Sequence, residues 1–128
     1  MGEYVMDWKY RFANFQWALT QLTNSLSENV SSGEVSKEVP VYFEVVSELA
    51  LKSLNDYLTE SGHIFQSPQE MLEVAFRENL IYDLVKWKKL LEKEPVSDDL
   101  NVLDNKIREG HRLFIGLHDK LNSKIPKM

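Results

Sequence analysis

VYFEVVSELALKSLNDYL, residues 41–58, is the segment whose periodicity sets the fold class. Phe43, Val46, Ala50, Leu54 and Tyr57 recur at steps of three and four, which lines one face of an α-helix, and Val45, Leu49, Leu51 and Leu58 widen the stripe on either side. A helix apolar over so much of its circumference needs neighbours on two sides. Glu44, Glu48, Lys52 and Asn55 step by three or four as well, so they share the remaining edge. Spacing leaves two readings of that edge open. Glu48 and Lys52 stand in the favourable i, i+4 order of a solvated ion pair, with Glu44 simply hydrated. On a face leaning toward the interior, the two carboxylates would instead hold ammonium or hydroxyl groups of a substrate, or act as a general base beside a partner's metal site. Glu44, Glu48 and Lys52 are therefore the candidate binding residues.

Working outward from this helix, Trp8, Phe12, Phe15, Leu19, Leu22 and Leu26 alternate steps of four and three, a bundle seam that predicts a first helix over about Tyr4–Asn29. The small polar run VSSGEVS, residues 30–36, reads as the loop of an antiparallel return. Pro40 suits the start of the second helix, and Gly62 suits the position just past its C-cap near Ser61. Ser67-Pro68-Gln69-Glu70 is a capping box with proline at the first helical position. The third helix it opens carries its seam through Leu72, Ala75 and Phe76 to Leu80, Ile81, Leu84, Trp87 and Leu91, with a bend or short break expected near residues 79–82. Pro95 closes that region, and Ser97-Asp98-Asp99 caps a fourth helix whose seam runs from Leu100 through Ile107, His111, Phe114 and Leu121 to Ile125. Gly110 and Gly116 weaken this last helix by about 1 kcal/mol each in isolation, and they also let a neighbour approach closely. The fold class expected is all-α, a four-helix up-and-down antiparallel bundle with a bent or broken third helix. At 128 residues it forms one domain.

With 43% hydrophobic and 27% charged residues, the chain has ample apolar area for a core. No apolar run reaches the roughly 20 residues that span a bilayer, and the N-terminus lacks the order of a signal peptide. A cytoplasmic protein without membrane association is expected. The absence of cysteine excludes disulfides, thiolate chemistry and cysteine-ligated zinc. The formal charge is −5, and residues 31–66 hold six acids against two bases. Nucleic acid is therefore disfavoured as the primary ligand, whereas a polar or cationic small molecule is not. Lys86, Lys88, Lys89 and Lys93 form a small basic run that reads as a solvated helix face.

Most catalytic constellations are missing: there is no glycine-rich phosphate loop, GxSxG, HExxH or cysteine nucleophile. The three histidines do not converge. His63 falls in a loop, and His111 and His118 are separated by about 10.5 Å along a helix axis. Neither a metal site nor a cofactor is expected.

Phe43-Glu44, Glu48-Leu49-Ala50, Lys52, Leu54 and Asp56-Tyr57-Leu58 resemble the FExxxELxWKxLxDYL pattern of the nucleotidyltransferase substrate-binding proteins, with Leu51 in place of the usual tryptophan. Downstream, Ser67-Pro68, Glu70, Ala75-Phe76, Leu80-Ile81, Asp83 and Trp87 resemble that family's second block. The resemblance spans about residues 7–124. It implies a small helical subunit, not itself an enzyme, that partners a minimal nucleotidyltransferase, which supplies the metal-binding carboxylates and the nucleotide site. Glu44 and Glu48 would then face a shared cleft, and the family often forms homodimers. The related HEPN-type ribonuclease toxins carry RNxxxHxY after the third helix. An ungapped count puts Glu94, Pro95, Asp99 and Asn101 in the Arg, Asn, His and Tyr places, so ribonuclease activity does not carry over. An interaction protein of a toxin–antitoxin pair that has lost nuclease function is the alternative reading.

Overall fold

A computed structural model describes residues 7–32, 38–92 and 100–125. They form α1 (Trp8–Ser32), α2 (Glu38–Glu60), α3 (Pro68–Arg77), α4 (Leu84–Leu91) and α5 (Leu100–Asn122), with no strand among the described residues. The protein is all-α, with five helices among the described residues where four were expected; the bend or break expected near residues 79–82 is a break, which separates α3 from α4. The expected start at Tyr4, the helix end at Pro95 and the cap at Ser97–Asp99 lie outside the described residues. The described part of α1 begins at Trp8, where the Asp7 carboxylate accepts the Lys9 N–H at 2.9 Å. At its other end α1 runs on to Ser32, three residues past the expected boundary, as helix ends commonly do.

The break between α3 and α4 has a local cause. Asn79 takes a left-handed φ of 61°, its N–H bonds to the Phe76 carbonyl at 3.1 Å, and the Leu80 N–H reaches back to Ala75 at 2.9 Å. This is a Schellman ending, and asparagine is the residue after glycine best suited to the left-handed position. Leu80 and Ala75 are both buried and supply the accompanying apolar contact. Asp83 then caps α4 by accepting the Lys86 N–H at 3.1 Å. The end of α2 repeats the device. Gly62 has φ 93°, its N–H bonds to Thr59 at 3.1 Å, and the His63 N–H bonds to Leu58 at 2.9 Å. Between these two endings, Ser67 caps α3 by accepting the Glu70 N–H at 3.1 Å, while the Glu70 carboxylate takes the Gln66 N–H.

Helix directions follow from which residues meet. Trp8 lies edge-on to Tyr57 at 5.0 Å and Arg11 reaches Asp56, so the start of α1 sits beside the end of α2. His118 stacks on Phe12 and His111 meets Thr23, so α5 also runs opposite to α1. Tyr82 lies against Gly116 while Lys86 pairs with Glu109, which sets α4 antiparallel to α5. The seam expected for α1 is the core face: Trp8, Phe12, Phe15, Leu19, Leu22 and Leu26 are all buried. Against it pack Val46, Ala50, Leu54 and Leu58 of α2, Leu72 of α3, Trp87 of α4 and Ile107, Phe114, Leu117 and Leu121 of α5. Val45, expected to widen the apolar stripe of α2, is instead 42% exposed. No helix among the described residues is long and apolar enough to cross a membrane.

Candidate functional site

Helical phase places the polar edge of α2. With Val46, Ala50 and Leu54 pointing to the core, Glu44, Glu48, Lys52 and Asn55 emerge on the opposite side, and all four are exposed. Of the two readings of this edge, the exposure matches the solvated one: the carboxylates lie on an outer face and do not lean toward the interior. Lys52 Nζ lies 2.7 Å from Glu48 Oε1, with the side chains 49% and 63% exposed. In water such a pair contributes a few tenths of a kcal/mol, roughly 0.3–0.5 for this i, i+4 geometry.

A broad open groove lies elsewhere, between α3 and the start of α4, and is lined by Glu70, Glu73, Phe76, Arg77 and Leu84 among others. Its carboxylates already have structural partners. Glu70 bonds the Gln66 N–H at 3.0 Å, and Glu73 lies 3.5 Å from Lys88. Phe76 remains 44% exposed beside it.

Two polar contacts between helices had no signature in the sequence. The Arg11 Nε–H donates to Asp56 Oδ2 at 3.1 Å, and the Asp56 side chain is only 9% exposed. This charge-assisted bond ties α1 to α2 near one end of the molecule. On the other side of α1, Thr23 Oγ1 and His111 Nε2 are 2.8 Å apart in a half-buried position. The histidines stay apart: His63 bonds Glu78 at 2.8 Å, while His118 stacks on Phe12 at 5.3 Å and meets Gln16. No group of three potential ligands able to hold a metal ion occurs among the described residues.

Burial lowers the His111 pKa, and the cationic Arg108 and Arg112 on its own helix add to the effect. The folded protein thus prefers neutral imidazole, while the unfolded chain takes up a proton near the ordinary value of about 6.5. This contribution to stability is complete above that pH and is lost as the pH falls through it. Desolvation raises the Glu60 pKa, which works in the opposite sense on acidification. Comparison with His111→Gln isolates the histidine: the fall in melting temperature between about pH 7.5 and 5.5 should be shallower in the variant. Parallel curves for the two proteins would show that His111 does not carry the effect.

No family model matches the chain, and no curated protein matches its sequence. The resemblance to the nucleotidyltransferase substrate-binding proteins consequently rests on individual residues, and the structure sorts them by task. Ser67, Glu70 and Asp83 serve helix starts, Asp56 holds Arg11, and Leu54, Leu58, Ala75, Leu80, Ile81 and Trp87 are buried. Phe43 packs on Gly110 and Phe114. Burial accounts for none of Glu44, Glu48 and Lys52, and Phe76 is only partly covered.

Proposed function

We propose that this chain is a non-catalytic partner of a minimal nucleotidyltransferase, with the outer edge of α2 forming one wall of a site that the catalytic subunit completes. The observation carrying this reading is the sorting above: of the residues that resemble the substrate-binding family, Glu44, Glu48 and Lys52 are the charged ones that neither capping nor burial explains. In this reading the five helices are a four-helix up-and-down bundle with α3 and α4 sharing the third place. The opposed directions of α1 against α2 and α5, and of α4 against α5, support it. The partner brings the nucleotide and the metal-binding carboxylates. Two carboxylates on the facing wall favour a polar or cationic acceptor. Such a pair works in the cytosol.

The outward direction of the strip also suits the second reading, an interaction protein of a toxin–antitoxin pair without ribonuclease activity, which needs an accessible surface and no acceptor. A pull-down from the native cell at low salt, with bound proteins identified by mass, separates the two by the partner recovered. With a nucleotidyltransferase in hand, Glu44→Gln combined with Glu48→Gln should leave the melting temperature nearly unchanged and reduce transfer about tenfold or more. That is the loss expected when a charge-assisted hydrogen bond of roughly 1.5–3 kcal/mol is weakened. Full transfer by the double variant would return the strip to a solvated ion pair.

A further inference from the structure

Charge is divided unevenly along the chain. Residues 38–60, which form α2, hold five acids against one base, whereas residues 84–92 and 100–125, which carry α4 and α5, hold eight bases against four acids. The antiparallel contact of α4 with α5 gathers part of that basic excess around exposed apolar side chains. Tyr82 lies against Gly116 and Lys86 pairs with Glu109. Helical phase then puts Val85 and Lys89 on the outward side of α4, and Arg112, Ile115 and Asp119 on the outward side of α5, all of them exposed. Val85 is 67%, Tyr82 66% and Ile115 38% exposed. Lys120 Nζ stands 5.3 Å from the centre of the Tyr82 ring, and neither Lys89 nor Arg112 has an ion-pair partner among the described residues. An exposed apolar patch with a charged rim marks a place where another molecule binds.

We propose that the outer face of α4 and α5 docks an acidic amphipathic helix of a different protein. The surface is independent of the nucleotidyltransferase reading, which concerns the oppositely charged edge of α2. Charge complementarity picks the occupant: carboxylates on the flanks of such a helix meet Lys89 and Arg112, while its apolar stripe covers Val85, Ile115 and the Tyr82 ring. Tyr82 to Lys89 and Arg112 to Asp119 each extend about 10.5 Å along their axes, so roughly two turns of the incoming helix cover the patch. Interleaved acids decide against a uniform polyanion. Glu109 and Asp119 lie within the basic surface, where the regular phosphates of a nucleic acid or an anionic bilayer would oppose them. A protein segment, by contrast, sets its charges one by one. The charge division also orients the encounter, since α2 repels an acidic partner and α4 and α5 attract it. A contact this small falls below the roughly 1,200 Å² of stable complexes, so binding is transient, with a Kd of about 10–100 µM.

Fluorescence anisotropy of the full chain with a labelled synthetic peptide tests this. The probe is a helix of about 16 residues with leucine at i, i+3, i+4 and i+7 and glutamate on both flanks. It should bind in the range given, and about fivefold or more weaker at 0.5 M than at 0.05 M salt, as exposed charges are screened. A scrambled peptide of the same composition, and so of the same charge, should bind about tenfold more weakly for want of an apolar stripe. Arg112→Glu should cost about tenfold and Val85→Ser about fivefold, both with the circular dichroism of the parent, because the side chains are exposed. Lys9→Glu, the same change of charge on exposed α1, should bind as the parent does. Equal affinity for the ordered and scrambled peptides, or no binding of either, overturns the proposal. Equal losses in Arg112→Glu and Lys9→Glu overturn the surface, leaving only the overall charge. Tighter binding of an oligothymidylate of equal charge, or of phosphatidylserine vesicles, overturns the partner and gives the face to a phosphate lattice.

Discussion

Trp87→Ala should lower stability by about 3–5 kcal/mol and the melting temperature by about 10–20 °C. Trp87 is 1% exposed, the largest of the fully buried side chains, and it is the one buried residue of α4. Its ring meets Phe114 of α5 at 6.0 Å with the planes 66° apart, so truncation opens a cavity between the shortest helix and the core. An eight-residue helix has little stability of its own, and most of what keeps it helical is its packing. The loss is a large part of the 5–15 kcal/mol that holds a typical domain together, so a partly unfolded variant at physiological temperature is the expected result. Thermal and urea melts measure it. A variant melting within a few degrees of the parent would place Trp87 outside the cooperative core.

Gly110→Ala should destabilise by about 1–2 kcal/mol, although helix propensity alone favours it by about 1 kcal/mol. A Cβ at Gly110 would come within 2.5 Å of Phe43 Cε2 and 2.7 Å of Cζ. These are atoms of a rigid ring that also lies 5.5 Å from Phe114, so the ring cannot withdraw without disturbing the contact between α2 and α5. Phe43→Leu should relieve the clash, making the double variant more stable than the sum of the two single losses implies. Stabilisation by Gly110→Ala, or strict additivity in the cycle, would show that the ring shifts freely. Gly116 offers the contrast: a Cβ there would meet Tyr82 at an ordinary 3.6 Å.

Periodic and punctuating features were legible in the sequence, and features depending on which helix meets which were not. The α1 seam could be read because one helix face is fixed by steps of three and four, and all six of its residues are buried. Gly62 and Ser67 could be read because a left-handed C-terminus and a hydroxyl cap each demand a particular residue type. Asn79 marked the break, but its left-handed turn ends one helix completely where a bend was also conceivable. Whether the polar strip of α2 faces water or leans inward was not legible, because a broad apolar stripe suggests neighbours on both flanks and nothing local says how far they wrap. Arg11–Asp56 and Thr23–His111 join positions 45 and 88 residues apart, pairings set by tertiary register.

The separate ending of α3 and beginning of α4 bear on how this chain tolerates change in length. Along a continuous helix, one inserted residue rotates everything beyond it by about 100°, enough to swing a buried tryptophan toward water. Here residues 78–83 interrupt the rotation, with Asn79 terminating one spiral and Asp83 initiating the next. The azimuth of Trp87 is therefore set by its own cap and its seat on Phe114, independently of the phase of Met71, Leu72 and Ala75. The hinge works as a phase reset, allowing the two short helices to drift in register without turning either one's apolar side away from the interior.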